Sequence, residues 1–126
     1  WADPPADADE IALEYAAAWQ DSDKGVVSTT LESVSTPRTQ LWRSFDADAV
    51  AALKASSDRD ISISGPTLAA AAFRAGLVDE VGMILLPVAV GGGTPFLPVG
   101  VRLDLELTAE HRFTGGAVHL TYAVRR

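Results

Sequence analysis

The spacing of the apolar residues predicts a helix and two strands in the first part of the chain. Between residues 11 and 19 they recur at i, i+4, i+7 and i+8, which is typical of an amphipathic helix of about three turns. The stretch 24–31 is short, rich in β-branched residues and bounded by turn-forming residues, so it is predicted as a strand. The stretch 39–43, which follows a loop-like segment, is predicted as a short strand. Asp46 is a suitable N-cap for a following helix that ends near Ser56.

The middle of the chain predicts a strand, a helix and another strand. Residues 59–64 alternate between polar and apolar side chains, as a half-buried strand does. Pro66 suits the first position of a helix, where its missing N–H group has no intrahelical partner, and Gly76 suits the position after the helix end. Residues 81–90 are almost all apolar, which predicts a strand covered on both faces.

The last part of the chain alternates between apolar and polar residues over 103–107 and again over 118–124. A glycine-containing turn at 114–116 separates these stretches, so they are predicted to pair as an antiparallel ribbon. The order of elements predicts an α/β fold with a mixed, mainly parallel sheet and the antiparallel ribbon at one edge. The sequence of 126 residues has no internal repeat and no linker, so a single domain over 1–126 is expected.

The composition of the chain limits which kinds of partner, cellular location and metal site are expected. The formal net charge is −7 and the basic residues are scattered, which argues against a nucleic-acid partner. No apolar run is long enough to cross a membrane and no export signal is recognised, so a cytoplasmic protein is expected. The chain has no cysteine, and its two histidines, His111 and His119, are isolated in the sequence, so no metal site is expected.

The turn at Gly65–Leu68 is the candidate site to which the residues themselves point. A glycine turn between a strand and a helix leaves free backbone N–H groups at the helix N-terminus, where a phosphate can bind. A nucleotide cofactor is one interpretation, and an ordinary strand-to-helix connection is the other. The adjacent carboxylates of Asp79 and Glu80 point to opposite faces of an opening strand, so they are not expected to form an acid–base pair. We expect a structural role instead, through hydrogen bonds to the backbone of the helix-to-strand turn or through a dimer contact.

Four motifs, in this order, resemble those of the dihydrofolate reductase-like family. They are Lys24-Gly-Val-Val-Ser-Thr-Thr-Leu31, the turn at Gly65–Leu68, Gly76-Leu-Val-Asp-Glu80 followed by Pro87, and Gly92-Gly-Thr-Pro-Phe96. The resemblance is strongest to the C-terminal reductase domain of the bifunctional riboflavin-biosynthesis deaminase/reductase and to its stand-alone relatives. It covers about residues 19–126, and it implies a three-layer fold whose N-terminal strand and first helices precede Trp1.

The resemblance implies hydride transfer from NADPH to a C=N bond of a pterin- or pyrimidine-like small molecule, as in 5-amino-6-(5-phosphoribosylamino)uracil reductases. It places the cofactor pyrophosphate at the glycine turn, and the adenosine ribose or its 2′-phosphate at the end of the first predicted strand. The residues carried over as cofactor contacts are Ser28, Thr29, Thr30, Ser64, Gly65, Pro66, Thr67 and Leu68. The residues of a loop bordering the site are Gly92, Gly93, Thr94 and Phe96. A homodimer is also expected, with the ribbon at 103–107 as its surface.

Three positions depart from the family pattern. Ser64 stands where riboflavin-pathway reductases carry a glutamate, so a stand-alone paralogue is expected rather than the pathway enzyme. Pro66 cannot donate a backbone hydrogen bond, and Thr29 occupies a position that is often basic, which leaves NADPH and NADH both open. No residue is identified as catalytic. The alternative to a reductase is a non-catalytic nucleotide-binding or regulatory module on the same fold.

Overall fold

The fold is given by a computed structural model that describes residues 2–126. Within these residues the helices are α1 (Glu10–Asp21), α2 (Ala47–Ser56) and α3 (Pro66–Arg74), and the strands are β1 (Lys24–Val27), β2 (Thr39–Trp42), β3 (Glu80–Leu85), β4 (Asp104–Arg112) and β5 (Val118–Arg125). None of these helices is long and apolar enough to span a bilayer. The chain divides into two compact units, one up to Phe45 and one from Asp46 to Arg126.

The first unit consists of α1 and the parallel strand pair β1–β2. The ladder runs from the Lys24–Thr39 pair to the Val27–Trp42 pair, so the two strands end side by side. Among the described residues of this unit, the buried one is Ala16 of α1, which is 2% exposed. The parallel pairing therefore brings the chain segments that follow β1 and β2 to the same end of the ladder.

The second unit contains α2, α3 and a three-stranded antiparallel sheet in the order β3-β5-β4. The hairpin turn between β4 and β5 is closed by a hydrogen bond from the Gly116 N–H to the Phe113 carbonyl at 3.0 Å. Gly116 has a φ of 86°, a conformation that favours glycine. Ala72 and Phe73 of α3 and Val81 of β3 are buried and form the core of this unit.

The predicted α/β class is confirmed, as are the three helices and the C-terminal ribbon. Helix α2 follows its N-cap Asp46, α3 begins at Pro66, and Gly76 follows the α3 C-cap with a φ of 66°. Parallel pairing is limited to β1 and β2 within the described residues, because β3 belongs to the antiparallel sheet. The expectation of a single domain over 1–126 stays a prediction.

The prediction of a strand at 59–64 is wrong. The segment has no strand partner in the described residues, and Ile61 and Ile63 are 44% and 38% exposed. Alternation favours an extended chain, but a strand also needs a neighbouring strand to pair its backbone N–H and C=O groups.

Strand β3 is shorter and more exposed than the predicted strand at 81–90. It ends at Leu85, shortly before Pro87, which has no N–H group to donate to a ladder. Val81 is 4% exposed whereas Ile84 is 61% exposed, so β3 is covered on one face and not on both. One-sided coverage is common for strands of antiparallel sheets.

Candidate functional site

The N-terminus of α3 contains the predicted contacts of the cofactor pyrophosphate. Gly65 is the N-cap residue, and its φ of 89° favours glycine. Pro66 occupies the first turn, and the Gly65 carbonyl accepts a helical hydrogen bond from the Ala69 N–H at 2.9 Å. A Cβ atom at Gly65 would meet no other atom within 4 Å, so the space beside the turn is open.

The backbone donors at this helix end have no side-chain cap. Helices α1 and α2 are capped by Asp9 and Asp46, whose carboxylates accept hydrogen bonds from the first turn. Helix α3 has no such cap, which leaves the N–H groups of Thr67 and Leu68 without a side-chain acceptor. Because Pro66 has no N–H group, these two donors and the Thr67 hydroxyl are what the turn offers to an anion.

Ser64 lies immediately before this turn and is exposed. The predicted residues 64–68 are therefore contiguous on one connection within the second unit. A serine hydroxyl does not ionise at neutral pH, and no other residue of 64–68 is titratable. The turn can bind an anion, but it holds no general acid or base.

The other predicted cofactor contacts, Ser28, Thr29 and Thr30, form a tight turn after β1 in the first unit. The Ser28 hydroxyl accepts hydrogen bonds from the N–H groups of Leu31 at 3.0 Å and Thr30 at 3.3 Å. The Ser28 N–H donates to the Trp42 carbonyl at 2.9 Å, which extends the pairing with β2. Ser28 therefore shapes the turn, while Thr29 and Thr30 are exposed on it.

Arg43 contacts the same turn, although no sequence motif pointed to it. Its guanidinium donates hydrogen bonds to the backbone carbonyls of Leu31 at 2.5 Å and Glu32 at 3.3 Å. Arg43 directly follows β2, and the parallel pairing of β1 with β2 brings it to the end of β1. In the sequence, Arg43 is a basic residue at the end of a predicted strand. Its contact with the turn can be inferred only when the strand that pairs with β2 is known.

The predicted border loop lies outside all helices and strands, and its residues Gly92, Gly93, Thr94 and Phe96 are exposed. Gly93 has a φ of 133°, which a larger residue would adopt only with strain. Phe96 is 54% exposed, so its ring is open to solvent. The segment is a loop as predicted, and its place at the border of a binding site stays a prediction.

Asp79 has a structural role, as the sequence predicts, but it acts through ion pairs. Its carboxylate is paired with Lys54 of α2 at 2.5 Å and with Arg126 at 2.6 Å. The hydrogen bond from Lys54 holds the pKa of Asp79 below its ordinary value, and the charges of Lys54 and Arg126 act in the same direction. The Asp79 carbonyl accepts a hydrogen bond from the Val124 N–H of β5 at 2.8 Å. Asp79 thus joins α2 to the sheet and is not half of an acid–base pair with Glu80.

His111 and His119 lie opposite each other on β4 and β5, although they are isolated in the sequence. The His111 ring packs edge-on against Phe113, with ring centroids 4.6 Å apart. Across residues 2–126 there is no group of three or more potential ligands that could hold a metal ion. The two histidines are opposed positions in the register of the β4–β5 ladder.

The sequence model of a protein family described as the RibD C-terminal domain matches residues 11–119. This range contains all the residues predicted to contact the cofactor and all those of the border loop. No curated protein matches the chain.

Solved structures that are similar to this chain include the following two. One, provisionally named a riboflavin biosynthesis protein of Shewanella sp. PV-4, has a TM-score of 0.71 at 17% identity and covers 98% of this chain and 84% of its own. The other is a pyrimidine reductase-like protein of Corynebacterium diphtheriae, with a TM-score of 0.55 at 20% identity, over 97% of this chain and 48% of its own. This chain thus spans about half the length of the second protein. Similarity at these identities shows the fold alone.

Proposed function

The chain belongs to the family of the RibD C-terminal domain, and we propose that it is an NADPH-dependent reductase acting on a C=N bond of a pyrimidine- or pterin-like small molecule. Family membership and the names of the two structural neighbours support a reductase-type function related to riboflavin biosynthesis. Beyond this reductase-type function, we propose NADPH as the reductant and a pyrimidine- or pterin-like ring as the substrate. Ser64, which replaces a carboxylate, favours a relative of the pathway enzyme with its own substrate.

The uncapped N-terminus of α3 is the observation that carries the cofactor assignment. Its unpaired N–H groups and the positive end of the helix dipole favour a negatively charged ligand. Gly65 makes the turn with a positive φ and leaves open space where a side chain would stand. The N–H groups of Thr67 and Leu68 are therefore suitable hydrogen-bond donors for a pyrophosphate. The missing donor at Pro66 limits how many hydrogen bonds the turn can form.

In this proposal NADPH, when bound, supplies the hydride, and the protein supplies binding and orientation. The N–H groups of Thr67 and Leu68 hold pyrophosphate oxygens. The hydroxyl groups of Thr29 and Thr30, on the turn that Ser28 shapes, bind the adenosine ribose or its phosphate. Residues 64–68 contain no titratable group, so the proton that completes the reduction comes from water or from a residue elsewhere in the protein.

We also propose where the enzyme works and what it binds. The reductase is a cytoplasmic homodimer with a small-molecule substrate, and neither nucleic acid nor a membrane is its partner. The net charge of −7 supports the exclusion of nucleic acid, because phosphate backbones bind to basic surfaces.

A titration of the protein with NADPH, followed by nicotinamide fluorescence, tests the cofactor assignment. Saturable binding is expected for the wild-type chain. Thr67→Asp places a carboxylate beside the two N–H donors, where it suits the helix N-terminus but repels a pyrophosphate. We therefore expect the dissociation constant of NADPH to rise at least about tenfold while the protein stays folded. A wild-type chain without saturable binding would contradict the proposal.

Thr114→Asp is the matched control for this experiment. It makes the same substitution at an exposed position of the hairpin turn, so NADPH affinity should stay at the wild-type value. An equal loss of affinity in both variants would show that the added charge acts through the whole protein and not at α3.

A non-catalytic nucleotide-binding or regulatory module is the second candidate. Ser64 favours it, because the residue before the turn cannot act as an acid or base. NADPH oxidation, followed by absorbance in the presence of dihydrofolate or of a pyrimidine substrate, separates the two candidates. Oxidation supports the reductase, whereas saturable binding without oxidation supports the module.

A further inference from the structure

Strand β3 lies at one edge of the antiparallel sheet, and its outer side has no strand partner among the described residues. At the start of β3, the Asp79 carbonyl accepts a hydrogen bond from the Val124 N–H of β5 at 2.8 Å. The hydrogen bonds of an antiparallel strand alternate between its two sides, so the odd-numbered residues of β3 bond to β5. The residues whose N–H and C=O groups point to the free edge are therefore Glu80, Gly82 and Ile84.

An apolar run begins in this edge strand and continues beyond it. No residue between Val81 and Val90 is charged. Its large exposed side chains, each at least 51% exposed, are those of Ile84, Leu85, Leu86, Val88 and Val90. An uncharged apolar segment on a free edge is a template for pairing with another chain. Antiparallel pairing of residues 82–90 with the same residues of a second copy would bring apolar side chains together, without any charge to oppose it.

A tight turn at Pro87 ends the free edge before most of this run. The Val88 N–H donates to the Leu86 carbonyl at 2.8 Å, which is the hydrogen bond of a γ-turn centred on Pro87. Residues 86 and 88 continue the even-numbered series that points to the free edge. This bond therefore uses the acceptor and the donor that a further strand would need. The φ angle of proline suits the centre of such a turn.

The Pro87 ring also packs on the hairpin turn between β4 and β5. A Cβ atom at Gly116 would lie 3.6 Å from Cγ of Pro87, so the ring lies beside this glycine. Leu85 is opposite Val118 in the ladder, and the same register continued by two residues places Pro87 opposite Gly116. Because proline has no N–H group, it leaves no unpaired donor on that side. The ring contact holds the γ-turn at the end of β3.

We infer that Pro87 closes the edge of β3 against a second copy of this chain, and that without it the run 82–90 pairs edge to edge with the same run of another molecule. The consequence is largest for the proposed homodimer. A dimer formed through the β4 edges keeps a free β3 edge at each end, so pairing through β3 would extend the sheet without closing it. The inference concerns assembly and does not depend on cofactor binding or on reduction.

Sedimentation velocity of Pro87→Val over a range of protein concentrations tests this inference. Valine restores the N–H group, removes the preference for the turn and favours a strand. The weight-average mass should be at least about twice that of the wild type at the same concentration, because each pairing joins two molecules. Pro87→Ala opens the edge with a smaller side chain and should associate in the same way.

Two further variants serve as controls. Pro87→Lys also removes the ring but places a charge within the apolar run, so its mass should stay at the wild-type value. Pro95→Val makes the valine substitution at an exposed proline outside the strands, and its mass should not change either. Urea unfolding of each variant confirms that masses are compared between folded proteins.

Hydrogen exchange distinguishes pairing through β3 from association elsewhere. In the Pro87→Val assembly the amide N–H groups of Gly82 and Ile84 should exchange at least about tenfold more slowly than in the wild type, because a second strand covers them. The amides of the β4–β5 ladder should keep their wild-type protection, which an aggregate of unfolded chains would lose.

Several results would overturn the inference. One is a mass of Pro87→Val and Pro87→Ala that equals the wild-type mass at every concentration. Another is a larger assembly in which Gly82 and Ile84 exchange as fast as in the wild type. An equal increase in mass for Pro95→Val would show that loss of a proline acts through the whole protein. A monomeric wild type whose Pro87→Val variant doubles in mass would contradict the homodimer and support the role of Pro87.

Discussion

At the scale of single residues, Asp79 shows how one exposed side chain joins several parts of the second unit. Besides their pairing with its carboxylate, Lys54 donates to the Leu77 carbonyl and Arg126 donates to the Gly76 carbonyl. The Asp79 side chain is 61% exposed, so water screens these ion pairs and their contribution to stability is modest. The hydrogen bond from Lys54 lowers the pKa of Asp79, which keeps the carboxylate ionised at neutral pH.

We expect Asp79→Asn to lower the free energy of unfolding by about 0.5–1 kcal/mol at neutral pH. The pKa of Asp79 in the folded state lies below its ordinary value of 3.8. The ionised carboxylate therefore stabilises the fold above that ordinary value, and the stabilisation is lost as the pH falls through the folded-state pKa. Urea unfolding of the wild type and the variant, at neutral pH and at about pH 3, measures the difference.

Glu80→Gln is the control for this substitution, since Glu80 is a neighbouring exposed carboxylate with no ion pair among the described residues. It should change the free energy of unfolding by less than about 0.5 kcal/mol. A deficit of Asp79→Asn that is as large in acid as at neutral pH would contradict the role given to the charge.

At the scale of elements, the β1–β2 pair depends on close packing between a glycine and a tryptophan ring. A Cβ atom at Gly25 would lie 2.9 Å from Cη2 of Trp42, which is closer than real Cβ contacts allow. The Trp42 Nε1–H donates to the Gln40 side-chain oxygen at 3.3 Å, which helps to hold the ring in place. Gly25 is therefore needed because it has no side chain, which lets the Trp42 ring lie on the backbone of β1.

Gly25→Ala is expected to destabilise the protein by about 1–3 kcal/mol, because the added methyl group overlaps the Trp42 ring. Gly92→Ala is the matched control: a Cβ there meets nothing within 4 Å and its φ lies outside the left-handed region. It should change stability by less than about 0.5 kcal/mol. Urea unfolding followed by tryptophan fluorescence checks both values. A Gly25→Ala variant as stable as the wild type would mean that the ring moves aside at little cost.

At the scale of the whole molecule, the surface combines a net charge of −7 with large exposed apolar side chains. Strands β3 and β4 are the two edges of the antiparallel sheet. Leu107 of β4 is 48% exposed, and the side chains exposed on β3 and after it are Ile84, Leu85, Leu86, Val88 and Val90. Apolar residues on open sheet edges are typical of surfaces that associate. The exposed Leu107 on the β4 edge supports the proposal of a homodimer formed through the C-terminal ribbon.

Sedimentation velocity over a range of protein concentrations tests the homodimer, and we expect the wild type to sediment as a dimer. Leu107→Glu places a charge on the ribbon edge and should weaken the dimer at least about tenfold. Val99→Glu makes a comparable change at a residue that is 73% exposed and outside the strands, so it should leave the dimer intact. A wild-type protein that sediments as a monomer at every concentration would contradict the homodimer.

The sequence by itself determined the elements whose signals are local. Asp46, Pro66 and Gly76 mark the ends of α2 and α3 because capping and φ preferences act within a few residues. The glycine turn at 114–116 likewise predicted the hairpin. The motif from Gly76 to Glu80 pointed to the family, and the match of the family over most of the chain confirmed it.

Only the tertiary structure decided which strands pair and which polar groups meet. The alternation at 59–64 shows which side chains share a face, but it cannot provide a partner strand. Arg43 reaches the turn after β1 because β1 and β2 are parallel, and His111 faces His119 because of the register of β4 and β5. A cap or a turn depends on the φ angles and hydrogen bonds of adjacent residues. The contact of Arg43 with the turn and the pairing of His111 with His119 depend instead on how segments far apart in the chain pair. A local sequence pattern does not encode this pairing.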